Sequence, residues 1–142
     1  MTLSYDLEML ITQDDRYPEI WLMPRDSADV ETLLEIFTNL AAGDRDEIVL
    51  LQRASICASD SFAAVLRTTT DCRLGKRLFY GRRAASELPL WINTLDGWAE
   101  CRDLMQAVAH SEHACHQYFT FPDYDDALVV VSYLESSPAL SA

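Results

Sequence analysis

Residues 3–12 read LSYDLEMLIT, and the way this stretch alternates decides what kind of fold the chain can have. Leu3, Tyr5, Leu7, Met9 and Ile11 alternate with Ser4, Asp6, Glu8, Leu10 and Thr12, the period of two that gives a β-strand one buried face. The chain is therefore expected to open on one long strand. Polar residues 13–16 and Pro18 end it, residues 19–23 resume a β-prone run and Pro24 stops that run, which predicts a hairpin. Asp26 or Ser27 then caps a helix whose apolar positions Val30, Leu33, Leu34, Phe37 and Leu40 follow helical spacing. Asp29 and Glu31 suit its positive first turn, and Gly43 suits its stop.

Residues 48–51 form an uninterrupted apolar run, which predicts a central strand covered on both faces. Residues 62–70 and 76–83 are two further strands, and the Asp71 and Gly75 between them predict that they pair as a hairpin. Pro89 argues against a central strand over residues 84–93, so that segment has no assignment. A second helix starts at Asn93 or Thr94 with the stripe Leu95, Trp98, Leu104, Met105 and Val108. Residues 115–121 and 127–134 form a last strand pair, and residues 136–142, with Pro138, read as a frayed tail. The order ββαβββαββ implies an α+β fold: a mainly antiparallel sheet of six to seven strands with two helices, in a single domain over residues 1–135.

A chain of 142 residues with 49% hydrophobic content is of ordinary single-domain size and composition, and its core needs no metal, disulfide or cofactor to hold it. No apolar run approaches a membrane span, and residues 1–11 carry Asp6 and Glu8 where a secretory signal would be basic. The expectation is a cytoplasmic protein without a membrane partner. Cys57, Cys72, Cys101 and Cys115 lack Cys-x-x-Cys spacing, which suits reduced, mostly buried thiols.

The net charge of −12 is unevenly placed. Residues 1–60 hold 13 acids and 4 bases, residues 61–85 hold 1 acid and 6 bases, and residues 86–142 hold 9 acids and 1 base. The bases are Arg67, Arg73, Lys76, Arg77, Arg82 and Arg83. Neighbouring strand positions face opposite ways, so these six cannot line one surface, and the acidic flanks would repel phosphate. Nucleic acid is thus not the expected partner. Surface ion pairing with the acidic flanks accounts for the basic residues more simply.

An acidic surface steers a basic protein, so the sequence points to a protein-binding role. The segment Asp123, Tyr124, Asp125, Asp126 combines carboxylates with an aromatic ring, and Asp14, Asp15 and Glu19 form a second acidic group near Trp21. As turns, both groups also have a purely structural explanation. Trp21, Trp91 and Trp98 read first as core or core-rim residues. His110, His113, Cys115 and His116 are the one dense set of metal-ligand types, although a helix end explains two of the histidines without a metal. A cysteine nucleophile would need Cys57, Cys72 or Cys101 beside a base, and no phosphate loop or nucleophile elbow occurs. The leading expectation is an inhibitor of the immunity type, neutralising a basic bacterial toxin. The alternatives are a small metal- or cysteine-dependent hydrolase and an oligomeric adaptor.

Overall fold

The computed structural model describes residues 3–13, 17–53, 63–81, 86–111, 114–120, 125 and 127–133. They form an α+β fold with nine strands in two sheets and two helices. In chain order these are β1 (Leu3–Leu7), β2 (Met9–Gln13), β3 (Pro18–Leu22), α1 (Ser27–Ala42), β4 (Glu47–Gln52), β5 (Ala63–Thr68), β6 (Arg77–Gly81), β7 (Ser86–Asn93), α2 (Leu95–Ala109), β8 (Cys115–Tyr118) and β9 (Leu128–Tyr133). The first sheet runs β1-β4-β5-β7-β6 and the second β2-β3-β9-β8.

The single opening strand is therefore two strands in different sheets. Tyr5, Leu7, Met9 and Ile11 keep facing the core across the break, so the alternation runs on unchanged while the hydrogen-bond partners change. At the break, Leu7 O accepts from Arg53 N at 2.8 Å and Glu8 O accepts from Met23 N at 2.9 Å. Antiparallel pairing holds only roughly: β2/β3, β4/β5, β6/β7 and β8/β9 are antiparallel, while β1/β4, β3/β9 and β5/β7 are parallel.

The expected hairpin between β5 and β6 is also corrected. Strand β7 lies between them, parallel to β5 and antiparallel to β6. The unassigned segment around Pro89 is thus a strand inside the sheet. Proline is tolerated because the β5 ladder begins one residue later, at Leu90, and the β6 register shifts between Phe79 and Gly81. The connection out of β5 contains a 3₁₀ turn, Cys72–Leu74, capped by the Asp71 carboxylate.

Both helices carry the caps their sequences suggest. The Asp26 carboxylate accepts from Asp29 N at 2.9 Å, Gly43 ends α1 in the left-handed conformation at φ 77°, and Thr94 Oγ1 accepts from Gly97 N at 3.1 Å. The helices pack on one another and, with the inner faces of both sheets, enclose one continuous core. Its centre is aromatic. Phe37 of α1, Trp91 of β7, Trp98 of α2 and Phe119 after β8 lie with ring centroids 4.9–6.1 Å apart, so one cluster joins both helices to both sheets. Leu95, expected on the buried stripe of α2, is instead 47% exposed, and Cys101 takes a core position on that helix. Strand β4 buries Ile48 and Leu50 on its inner face only, since Val49 and Leu51 remain half-buried.

Two carboxylates are buried where the chain passes between the sheets. Glu8 is 5% exposed and meets Arg25 Nη2 at 3.3 Å. Asp29, 6% exposed, takes both Arg53 Nη2 at 2.8 Å and Arg53 Nη1 at 3.2 Å, and accepts from Arg25 N at 3.1 Å. The Arg53 hydrogen bonds hold the Asp29 carboxyl below its ordinary value, against the opposing effect of burial.

A carboxyl with a depressed folded pKa stabilises the fold above its unfolded value, and that contribution is lost as the pH falls through the lower folded value. The arginine pair should therefore contribute fully above about pH 4 and fade below it. Arg53→Ala should cost about 2 kcal/mol in urea unfolding at pH 7. In that variant the loss of stability on acidification should be shallower than in the parent. Gly97 supplies a second test, because a Cβ there would lie 1.8 Å from Asn93 Oδ1, in a side chain only 1% exposed. Gly97→Ala should lower stability by about 1–3 kcal/mol despite alanine's better helix propensity, and adding Asn93→Ala should return part of the loss, as measured by thermal unfolding.

Candidate partner-binding surface

The outward face of the four-stranded sheet is built by alternate residues of β2, β3, β9 and β8. Register places Leu10, Trp21, Val130 and Tyr118 in one row across all four strands. Leu10 and Met23 pack with half-buried Trp21 in a small apolar cluster separate from the main core. Tyr118 is 42% exposed, and His116 stands edge-on to it with ring centroids 5.2 Å apart. In the adjoining row, Thr12, Glu19 and Leu128 align. The Glu19 carboxylate accepts from Thr12 Oγ1 at 3.1 Å and from Trp21 Nε1 at 3.5 Å, so the acid and the indole are held side by side.

Strand direction brings the end of β2, the start of β3, the start of β9 and the end of β8 to one end of this sheet. Gln13 pairs with Pro18 where β2 turns into β3, and Glu19 pairs with Leu128 at the start of the parallel strand β9. Strand β8 runs antiparallel to β9, so the chain leaves it at the same end. Thr120 closes that stem: its buried hydroxyl donates to Ala127 O at 2.7 Å and accepts from Val129 N at 2.9 Å. Of the expected partner-binding residues, Trp21 and half-buried Asp125 are described. Asp14, Asp15, Asp123, Tyr124 and Asp126 lie outside the described residues.

Among the described residues the metal-ligand types do not gather. His110 is the C-cap of α2, and Cys115 and His116 are consecutive strand residues on opposite faces, the thiol half-buried against the core and the imidazole exposed. His113 lies outside the described residues, among which no group of three or more His, Cys, Asp or Glu side chains could hold a metal. Cys72, Cys101 and Cys115 carry free thiols, while Cys57 lies outside the described residues. Burial pushes the Cys101 thiol far above its ordinary value, with the nearby Glu100 charge adding to the effect.

Three of the four described basic residues in the 61–85 segment are engaged with acids. Arg67 Nε meets Glu47 at 2.8 Å, Arg73 meets Asp71 at 3.1 Å and Lys76 meets Glu100 at 3.4 Å. Arg67 and Arg77 do share a face, flanking Ile92 on the outside of the first sheet, and Arg77 has no ion pair among the described residues. Arg82 and Arg83 lie outside them.

Tyr118 and His116 were not marked as exposed by the sequence, while Leu10 and Val130 in the row of Tyr118 are buried. Residues 115–118 read CHQY, which has no apolar alternation to say which side faces out. No family model, curated protein or solved structure matches this chain. Among the described residues, no helix is long and apolar enough to cross a membrane.

Thiol chemistry offers a direct check of this arrangement. With an aromatic disulfide reagent at pH 8, Cys72 should react within the mixing phase, whereas Cys101 should stay protected until denaturant unfolds the chain. Mass spectrometry of the labelled peptides separates the two.

Proposed function

We propose that this chain is an acidic protein-binding module whose partner is a basic protein, in the manner of an immunity-type inhibitor that neutralises a basic bacterial toxin. The observation that carries the proposal is the convergence described above: Glu19 and the stems of both acid-bearing connections lie at one end of a sheet whose outer face presents Trp21 and Tyr118. Carboxylates from Asp14, Asp15, Asp123, Asp125 and Asp126 steer the partner in, which raises the association rate more than the final affinity. Desolvated aromatic contact with Trp21 and Tyr124 then slows dissociation and occludes the partner's own site.

The division of labour is testable once the partner is captured on the immobilised chain and purified. The association rate should fall at least about tenfold between low and high ionic strength. The triple change Asp123→Asn, Asp125→Asn, Asp126→Asn should lower the association rate and leave dissociation nearly unchanged. Trp21→Ala should do the reverse. An association rate indifferent to salt and to these charges would refute the steering account.

A further inference from the structure

A second feature of the surface lies away from the four-stranded sheet. The parallel strands β5 and β7 end side by side, and beyond their ends an open cleft of about 900 Å³ lies between the end of α1 and the start of α2. Its walls include Gly43, Asp46, Thr69, Thr70, Leu95 and Asp96. Leu95 is 47% exposed, and its Cδ2 lies 3.8 Å from the position a Cβ on Gly43 would take. An apolar side chain therefore stands beside the carboxyl end of α1.

The charges around the cleft compensate one another unequally. Arg67 and Glu47 form an ion pair, so neither offers a full charge to a ligand. Asp96 sits in the first turn of α2, where it offsets the positive end of that helix. The negative end of α1 has no basic residue in its last turn, and Asp46 makes no ion pair among the described residues. Arg45, next to Asp46 in the chain, makes an interaction of its own. The lining itself carries three acids, Asp46, Glu47 and Asp96, against the single base Arg67, and it includes the exposed apolar side chain of Leu95.

We infer that this cleft receives a basic side chain, an arginine or lysine of a polypeptide, with its alkyl stem against Leu95 and its cationic head between Asp46 and the carboxyl end of α1. Long cationic side chains pack their stems on apolar surface while keeping the charge solvated, which is the combination the cleft offers. The cation preference stands on the cleft alone. That the occupant belongs to a protein rests on the proposed function, and the cleft would then be a second point of contact for the same class of partner.

The probe is Nα-acetyl-arginine amide, titrated into the ¹⁵N-labelled chain at low salt, with neutral Nα-acetyl-norleucine amide as control. Saturable shifts are expected in the amide signals of Gly43, Thr69, Thr70 and Leu95, with the neutral analogue binding several-fold more weakly. Asp46→Asn and Leu95→Ser should each weaken arginine amide binding about threefold. Both residues are exposed, and spectra of the two variants will show whether the fold is kept. Equal response to both probes, shifts confined to the Glu19 end of the other sheet, or no shifts at all would overturn the inference. None of these outcomes bears on salt-dependent association at the acidic end, and loss of that association would leave the arginine amide shifts in place.

Discussion

Two buried carboxylates hold the architecture together at its least regular point. Where the chain leaves the first sheet and enters the second, Glu8 and Asp29 are almost fully removed from water, a position no carboxylate tolerates without a partner. Arg25 pairs with Glu8 and Arg53 with Asp29 while both arginines stay partly in water, at 56% and 42% exposure. Removing one member would leave a buried charge uncompensated, which costs more than the intact pair contributes. The group also links distant parts of the chain: the β1/β2 break, the first turn of α1 and the residue after β4. Gln52 Nε2 adds a hydrogen bond to Met9 O at 2.8 Å across the same junction.

The aromatic cluster complements this polar junction. Phe37, Trp91, Trp98 and Phe119 come from α1, β7, α2 and the residue after β8 and meet at the centre of the core, and perpendicular and offset contacts of this kind add roughly 0.5–1.5 kcal/mol per pair beyond area burial. Trp98 Nε1 also donates to Thr68 Oγ1 at 3.0 Å, tying the start of α2 to the end of β5. With the interior filled from both sheets, each sheet keeps one face turned away from the main core. The second sheet presents Trp21 beside the Glu19 carboxylate and Tyr118 beside His116, while the first presents aliphatic residues flanked by Arg67 and Arg77.

Local chemistry was legible in the sequence and sheet membership was not. Both helices could be read from Asp26, Gly43 and Thr94, because caps act through neighbouring backbone groups. The first strand could not be divided at Glu8, since alternation reports which side faces the core and says nothing about which strand lies alongside. Pro89 hid β7 because its tolerance depends on a register shift in β6, a property of another segment. The same limit applies to the surface. Trp21 could be singled out by type and Glu19 as part of a dense acidic group, yet the meeting of Glu19 with Leu128 follows from the parallel pairing of β3 with β9, more than one hundred residues apart in the chain. Leu95 looked like core because helical spacing includes it, but α2 begins at that residue and its first turn overhangs the cleft.

The in-phase passage from β1 to β2 also governs how this protein can change. Substitutions along residues 3–13 alter one side chain at a time, but an insertion or deletion of a single residue at the junction would reverse the facing of a whole strand. Ser4 and Asp6 would turn inward while Tyr5 and Leu7 turned to solvent. Length at this point is therefore held more tightly than residue identity, and lineages of this fold would vary in the connections beyond Gln13 and Thr120 long before they gained or lost a residue beside Glu8.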